Sequence, residues 1–389
     1  MAEGMRGQNI VCFAKDWTED PTSNNHVMRL LARDNHLWLN SIATRTPSLG
    51  SASDVDKIKR KLKSFVDGPK EVTPGLSVFT PLVLPFPHST AAVLANRQIL
   101  RGTVAFQKRR LHMDDFQLWS FIPTAVEYFG HLGESLRVYY CTDEWSQFSY
   151  VDSARIVKME RRLMEMADIV FCTSRTLLET KKAFNPETHL ASHGVDFAHF
   201  SQTLDENTAM APELAGMKGP VLGFFGLIHD WIDIDLIGYL AQQRPDWNLV
   251  MIGSVKVDNS RWTQQKNIHW LGRKSYESLP SYCRGFTVGL IPFVLNELTR
   301  NVNPIKLREY LSAGLPVVST NLPEVALCSE WCDVALTKEQ FLAACDKAIA
   351  EDSPAARRKR ADAMRAEDWD NKVAQLGEHI ERVKMQKRR

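Results

Sequence analysis

Residues 301–320, with the sequence NVNPIKLREYLSAGLPVVST, contain the residue types of a phosphate-binding helix start. Asn303 is predicted to cap a short helix whose first position is occupied by Pro304. The N–H groups and the positive dipole end at such a helix start attract anions, and Arg300 and Lys306 are close in sequence. The segment is therefore suited to binding a phosphate or a diphosphate group.

Glu309 lies one to two turns further along the same predicted helix. Its carboxylate can accept two hydrogen bonds from a vicinal diol such as a ribose. Gly314 is predicted to end the helix, and a buried strand is predicted over 315–319. The alternative is an ordinary helix that packs on a sheet, with Lys306, Arg308 and Glu309 facing solvent. The residues alone leave both interpretations open.

A second group of polar side chains follows a predicted strand at 137–141. Asp143 and Glu144 could contact an acceptor or handle a proton, and Trp145 could stack on a sugar. A solvated turn is the alternative for these residues. His26, at the start of a predicted helix, could face a ligand cleft or be only a capping-turn histidine.

The composition is that of a globular protein, with 44% hydrophobic and 24% charged residues in 389. This length predicts two domains, each with its own core. No apolar run approaches the roughly 18 residues needed to span a bilayer, and the N-terminal residues lack a secretory signal pattern, so a cytoplasmic location is expected. The seven cysteines show no Cys-x-x-Cys pair, which predicts buried free thiols in preference to disulfides or a zinc site.

Short apolar runs alternate with amphipathic stretches of helical length through most of the chain. This alternation predicts an α/β fold with parallel sheets covered on both faces. In such sheets, ligands bind beyond the carboxyl ends of the strands. The predicted strands span 9–14, 36–42, 116–121, 137–141, 168–172, 189–192, 221–226, 249–253, 268–271, 287–293 and 315–319.

The domain limits follow from a change in composition. Residues 201–219 are polar and contain proline and glycine, which is typical of a linker. The sequence therefore predicts a first domain over 1–200 and a second over 220–369. A final helix, 370–389, carries an apolar stripe that must pack on another element.

The segment NPIKLREYLSAGLPVV resembles the donor-site segment of the GT-B glycosyltransferases, in particular the family 4 group. Its Asn-Pro-x-Lys-x-x-Glu-Tyr pattern resembles a subgroup of bacterial polysaccharide glycosyltransferases that includes the teichuronic acid type. Family 4 enzymes carry a Glu-x7-Glu signature whose second Glu holds the nucleotide ribose, and Glu309 falls on that position. Asn301 stands at the first position, where this chain departs from the family pattern. The resemblance is continuous over 222–325 and weaker over 138–200.

The resemblance implies roles for further residues. His193 begins a His-Gly-Val-Asp turn similar to the one that finishes the first domain in the family, where it would line the cleft. Gly226 ends a predicted strand and allows a ligand phosphate to approach the backbone, and Asp230 belongs to an Asp-Trp loop like that of the subgroup. Arg273 and Tyr276 would lie by the nucleobase, although a surface turn is an alternative. The implied donor-binding set is Gly226, Asp230, Arg273, Tyr276, Arg300, Asn301, Asn303, Lys306 and Glu309.

The fold and function implied are those of a GT-B enzyme. Two Rossmann-like domains would face a cleft, and the last helix would cross back to the first domain. The enzyme would transfer a sugar, with retention, from a UDP- or GDP-linked donor to a glycan or lipid-linked acceptor in cell-envelope or exopolysaccharide synthesis. The catalytic candidates are Lys306, Asp143 and Glu144.

No cofactor and no nucleic-acid partner are expected. The absence of an Asp-x-Asp motif favours a metal-independent site with cationic side chains. The alternatives are a nucleotide-sugar epimerase of the same fold and an inactive sugar-nucleotide-binding protein, for which Asn301 is the hint.

Residues 54–68, DVDKIKRKLKSFVDG, form a basic amphipathic stretch. Asp54 is predicted to cap this helix and Gly68 to end it. One interpretation is a surface helix whose apolar stripe packs on the first domain. The other is attachment to an anionic membrane on the inner face of the plasma membrane, since each Lys or Arg near such a surface contributes about 1 kcal/mol.

Overall fold

The computed structural model describes residues 7–17, 23–32, 36–39, 52–86 and 89–387. The contacts divide the chain into two compact units, residues 1–192 with 372–389 and residues 193–371. Residues 201–219 lie in the second unit, where Leu214 is part of the core. The predicted domain limits, with a linker over these residues, stay predictions.

The described residues of the first unit form an eight-stranded sheet, and among these strands only the pair β3 and β4 is antiparallel. The strand order is β3-β4-β2-β1-β5-β6-β7-β8. Every residue of β1, β5 and β7 is buried, as expected for strands covered on both faces. The strands are β1 Ile10–Phe13, β2 His36–Leu39, β3 Lys70–Thr73, β4 Leu76–Phe79, β5 Gln117–Ser120, β6 Leu136–Cys141, β7 Ile169–Cys172 and β8 Thr188–Leu190.

The helices of this unit are α1 Ser23–Leu31, α2 Ala52–Asp67, α3 Thr90–Arg110, α4 Ser153–Met166 and α5 Arg175–Lys181. Side chains of Ser89, Asp152 and Ser174 cap α3, α4 and α5 by accepting hydrogen bonds from backbone N–H groups of the first turn.

One predicted helix start differs from the structure, and one predicted strand extends beyond the described residues. The predicted cap at Asp54 is wrong because α2 begins two residues earlier, whereas Gly68, with φ +75°, follows the last helical residue as predicted. Part of the predicted strand at 36–42, residues 40–42, lies outside the described residues.

The second unit has a six-stranded parallel sheet with the order β11-β10-β9-β12-β13-β14. Its strands are β9 Val221–Phe225, β10 Asn248–Ile252, β11 Ile268–Gly272, β12 Val288–Ile291, β13 Val317–Thr320 and β14 Asp333–Ala335. Its helices are α6 Phe197–Ser201, α7 Ile234–Gln243, α8 Leu279–Gly285, α9 Glu297–Arg300, α10 Ile305–Ser312, α11 Pro323–Ala326, α12 Lys338–Glu351 and α13 Pro354–Ala363.

Tyr310 fixes α10 to this sheet. The ring is fully buried, and its hydroxyl accepts a hydrogen bond from the backbone N–H of Phe225 at 3.1 Å. A Cβ atom at Gly289 would lie 2.7 Å from the ring, so only glycine leaves room for it. The helix is thereby placed against the ends of β9 and β12.

The last helix, α14 Trp369–Lys387, belongs to the first unit from residue 372 onward. Its predicted apolar stripe of Val373, Leu376, Ile380 and Val383 is buried. Ion pairs join Arg382 to Glu187 and Lys387 to Asp168, both at 2.9 Å. All seven cysteines are free thiols, and six of them are buried.

Candidate functional site

Helix α10 begins without a side-chain cap among the described residues. Pro304 is its N-cap residue, with φ −72° and ψ 114°, so the prediction that Asn303 caps the helix and Pro304 opens it is wrong by one position. The Asn303 side chain instead accepts a hydrogen bond from Arg308 at 2.9 Å, and Arg308 also pairs with Glu367 at 2.9 Å. Gly314, with φ +78°, follows the end of the helix as predicted.

Lys306 lies against Gly226 at the carboxyl end of β9. A Cβ atom added to Gly226 would lie 2.4 Å from Cε and 2.7 Å from Nζ of Lys306. Gly226 also has φ +137°, a conformation that other residues rarely adopt. The structure therefore brings together two predicted donor-binding residues that are far apart in the sequence. Gly226 supplies a backbone turn without a side chain, and Lys306 supplies an amine.

Glu309 is buried one turn further into α10, with 6% of its surface exposed. This excludes the alternative in which it faces solvent. Burial raises the pKa of Glu309 to about 7, and the positive charge of Lys306 opposes the rise. No hydrogen bond to its carboxylate comes from the described part of the chain, so its acceptor capacity is left for a ligand.

The residues just before α10 differ in exposure. Asn301 is 8% exposed, and its side-chain amide donates to the backbone oxygen of Glu297 at 2.7 Å. Arg300, the last residue of α9, is exposed. A cation and a fixed amide thus precede the start of α10.

The loop after β9 carries a histidine and aspartate pair. Nδ1 of His229 lies 2.7 Å from a carboxylate oxygen of Asp230, and the His229 ring stacks on Trp231 with centroids 4.4 Å apart. The Trp231 backbone oxygen accepts from the N–H of Val294, which follows β12. This holds the loop beside the chain that leads from β12 to α10. The His229-Asp230-Trp231 triplet is visible in the sequence, but only Asp230 was predicted to be a site residue, since nothing in the spacing reveals its contact with His229.

Tyr276 and Arg273 lie in the turn after β11. The Tyr276 ring stacks on His199 with centroids 4.6 Å apart, and the His199 ring lies 3.0 Å from the Tyr276 backbone oxygen. Arg273 is exposed. His193, also in the second unit, is 8% exposed and lies edge-on to Trp369 at 6.3 Å. The roles predicted for these three residues stay predictions.

Glu144, after β6 in the first unit, is part of a buried ionic network. Lys181 donates to Glu144 and to Glu160, both at 2.7 Å, and the Ser146 hydroxyl donates to Glu144 at 2.7 Å. Burial acts to raise the pKa of Glu144, but the ion pair with Lys181 and the bonds from Ser146 outweigh it and lower the pKa. Tyr139 donates to the other carboxylate, Glu160, at 2.6 Å. Glu144 is thus held ionised by the structure around it.

The neighbouring Asp143 has the opposite electrostatic environment. Burial raises its pKa, while a hydrogen bond from Thr142 and the charge of Lys15 oppose the rise. Trp145 packs on the core of the first unit, and His26 is buried in α1. Two adjacent carboxylates with pKa values shifted in opposite directions can take different roles, and Asp143 is the one suited to exchanging a proton.

Metal ligands are not clustered in the described ranges: no group of three or more His, Cys, Asp or Glu side chains is placed to hold an ion. Nor does any helix within those ranges have the length and apolar character needed to cross a bilayer.

Residues 219–351 match the family described as glycosyl transferases group 1. The chain is 28% identical over 257 residues to TuaH of Bacillus subtilis (strain 168), a protein whose name assigns it as a teichuronic acid biosynthesis glycosyltransferase. The match covers 60% of this chain and 64% of TuaH, so the chain spans less than two thirds of that relative.

Solved structures resemble the whole chain. Sucrose-phosphate synthase from Thermosynechococcus elongatus aligns over 97% of this chain and 99% of its own, with a TM-score of 0.70 and 13% identity. Anabaena HepE, solved in complex with UDP-glucose, aligns over 96% and 99% with a TM-score of 0.66 and 13% identity. At this identity the likeness establishes a shared fold.

Proposed function

We propose that the chain transfers a sugar from a nucleoside diphosphate sugar to a glycan or lipid-linked acceptor, because residues 219–351 match the family described as glycosyl transferases group 1 and the whole chain shares its fold with solved glycosyltransferases. The observation that carries this proposal is Glu309, a buried carboxylate without a protein hydrogen-bond donor in the described part of the chain. It has two oxygens to offer to the two hydroxyls of a ribose. HepE, which shares the fold, is a protein solved with UDP-glucose, and this supports a nucleotide sugar as the donor.

The diphosphate is proposed to lie at the start of α10. Lys306 would supply a positive charge beside Gly226, whose missing side chain leaves the backbone approachable. The uncapped helix start adds the positive end of the helix dipole. Arg300 is exposed nearby in sequence. These groups favour stabilisation of the leaving diphosphate without a metal ion.

The proposed reaction proceeds with retention of configuration. The bond between the anomeric carbon and the diphosphate oxygen breaks, the acceptor oxygen bonds to the same face of that carbon, and its proton passes to the leaving phosphate oxygen. No protein nucleophile or cofactor is required in this scheme. Lys306 stabilises the charge that develops on the diphosphate, which is greatest in the transition state.

Asp143 is proposed to contact the acceptor, and Glu144 to position the turn that carries it. Glu144 is already committed to Lys181 and Ser146, so its contribution is to hold the backbone of residues 142–146. Asp143, with a raised pKa, is the better partner for an acceptor hydroxyl.

The acceptor class is proposed from the relative. TuaH is named for teichuronic acid biosynthesis, which supports a glycan or lipid-linked acceptor in cell-envelope or exopolysaccharide synthesis. The basic helix α2 is proposed to hold the enzyme at the inner face of the plasma membrane, from the cytoplasmic side, where a lipid-linked acceptor would be within reach.

One assay separates this function from its alternatives. The protein is incubated with UDP-, GDP- and dTDP-sugars, with and without a cell-envelope lipid extract. A transferase releases nucleotide and labels the extract only when the extract is present. Conversion of the sugar without extract would instead establish an epimerase, and binding with no turnover in either condition would establish an inactive binding protein.

A further inference from the structure

Exposed apolar side chains are concentrated in one part of the first unit. Of the twenty large hydrophobic side chains that are exposed among the described residues, ten lie between residues 62 and 106. They are Leu62, Phe65, Val66, Val72, Leu82, Leu84, Phe86, Leu94, Ile99 and Phe106, with Val66 82% and Phe106 64% exposed. Scattered exposed residues need no explanation, but such a concentration marks an interaction surface.

Three elements join to form this surface. The C-terminal half of α2 is tied to the end of β4 by the Ser64 and Thr80 hydroxyls at 2.7 Å. The extended segment 81–86 follows directly, with Leu82, Leu84 and Phe86 alternating on its exposed side.

The same segment is fixed to α3. The side-chain oxygen of Asn96 accepts from the backbone N–H of Leu84 at 2.7 Å, and its amide donates to the Leu84 oxygen at 2.9 Å. Asn96 is buried on the inner side of α3, whereas Leu94, Ile99 and Phe106 lie on the outer side. We call α2, segment 81–86 and the outer side of α3 the apolar-basic face.

The charges on this face are mostly positive, although α2 also carries the exposed acidic residues Asp56 and Asp67. From Val72 to Met113 the sequence contains no Asp or Glu. Arg101, Arg109 and Arg110 of α3 are exposed, as are Lys59, Arg60 and Lys63 of α2. Within the described ranges, none of these six side chains has an ion pair or hydrogen bond. The side chains of Val55, Lys57 and Ile58 in the predicted stripe of α2 lie outside the described residues.

We propose that the apolar-basic face binds an anionic lipid bilayer, with the apolar side chains of 81–106 inserted at the boundary of head groups and acyl chains. The exposed cations on both helices would contact the anionic head groups. This extends the membrane attachment proposed above for α2, which relied on charge alone, to an insertion surface formed by 81–86 and α3. The membrane binding itself does not depend on the proposed function. Only its purpose, to bring the enzyme to a lipid-linked acceptor, rests on that function.

The charge pattern argues against a second copy of the chain as the partner. In a symmetric dimer through this face, the cations of one copy would mostly meet the same cations of the other. Segment 81–86 and α3 contain no carboxylate, so only the few of α2 could compensate. An anionic bilayer satisfies the apolar and the charged groups together.

The test is sedimentation of the full chain with phosphatidylcholine vesicles that contain either no phosphatidylglycerol or about 30 mol % of it. An insertion variant carries Phe86→Ser, Ile99→Ser and Phe106→Ser, and a charge variant carries Arg101→Ser, Arg109→Ser and Arg110→Ser. The matched control carries Leu327→Ser and Leu336→Ser, which are 57% and 67% exposed in the second unit.

The wild type and the control should bind the anionic vesicles equally, with part of the binding surviving high salt. The insertion variant should bind at least about tenfold more weakly at low salt and lose the salt-resistant part, whereas the charge variant should lose mainly the salt-sensitive part. Insertion-variant binding equal to that of the control would overturn the proposal. A concentration-dependent dimer that only the insertion variant abolishes would also overturn it.

Nucleotide-sugar binding in the absence of vesicles provides a separate readout. All three variants should bind the donor like the wild type, because none of the changed residues belongs to the donor site. Vesicle binding without donor binding by the wild type would reject the proposed function and leave the membrane face standing.

Discussion

Glu309 combines two properties that are in conflict in the unliganded protein. Its carboxylate is removed from water without a hydrogen-bond donor in the described part of the chain, and its pKa is raised to about 7. The ionised form is the one that accepts two hydrogen bonds from a diol. The residue is thus costly for the free fold and useful once a ribose is bound, as is common at functional sites.

The first prediction concerns the stability of Glu309→Gln. Because burial raises the folded pKa from the ordinary 4.5 to about 7, the wild type loses stability as pH rises between these values. The variant lacks this loss and should be more stable than the wild type at pH 8 by about 1 to 3 kcal/mol, with a smaller difference near pH 5. Urea denaturation of both proteins at the two pH values measures it. A variant that is less stable at pH 8 would show that the carboxylate stabilises the free fold.

The second prediction concerns Lys306→Ala. The amine beside Gly226 faces the largest negative charge when the diphosphate leaves, so kcat should fall more than donor affinity does. Rapid-mix turnover and equilibrium titration of the donor separate the two quantities. Equal losses in both would make Lys306 a residue that only binds the ground state.

At the scale of elements, the turn after β6 depends on α4 and α5. Glu160 of α4 and Lys181, the last residue of α5, are almost fully buried, and Lys181 bridges Glu160 to Glu144. The three side chains fix the end of β6 against two helices. Such a network is sensitive to the loss of one member because the remaining charges stay buried.

The third prediction follows from this network. Lys181→Met should destabilise the first unit by about 3 to 5 kcal/mol, since two buried carboxylates would lose their cation. The exposed pair of Arg161 and Glu165, at 2.9 Å, provides the control, and Arg161→Ala should cost no more than about 0.5 kcal/mol. Chemical denaturation compares the two variants. Similar small losses would mean that the buried network contributes no more than a surface pair.

Elements with buried apolar runs were predictable from the sequence. The strands β9 and β10 lie within one residue of their predicted limits. Nearly all of their residues are buried, so each strand is visible in the sequence as a continuous apolar run. Helix starts were less predictable. Asn303 is a good capping residue by type, but its side chain accepts a hydrogen bond from Arg308. Arg308 is in turn held by Glu367, a tertiary contact that no local signal reveals.

The candidate site shows the same division. The segment around Glu309 could be identified from its residue types and family resemblance. The burial of the carboxylate could not be predicted, because it depends on how α10 packs on the sheet. Likewise, the contact between Gly226 and Lys306 and the bond from Lys181 to Glu144 join residues distant in sequence. These contacts are products of the fold, so spacing alone could not predict them.

The fourth prediction concerns the whole enzyme and its need for a metal ion. The proposed site neutralises the diphosphate with Lys306, the start of α10 and nearby cationic side chains. Addition of EDTA should therefore leave the transfer rate within about twofold of its value without chelator. Restoration of a lost rate by Mg²⁺ or Mn²⁺ would contradict a cationic, metal-independent site.

The central claim is that Glu309 holds the ribose of a nucleotide donor, and one equilibrium measurement tests it directly. The wild type and Glu309→Gln are titrated by calorimetry with UDP, GDP and the 2′,3′-dideoxy form of whichever binds better. The wild type should lose at least about 100-fold in affinity when the two hydroxyls are removed, since each of the two charge-assisted hydrogen bonds contributes about 1.5 to 3 kcal/mol and about 1.4 kcal/mol is tenfold. Glu309→Gln should bind both nucleotides almost equally. A wild type that does not distinguish the two nucleotides, or a variant that distinguishes them as well as the wild type does, would contradict the account.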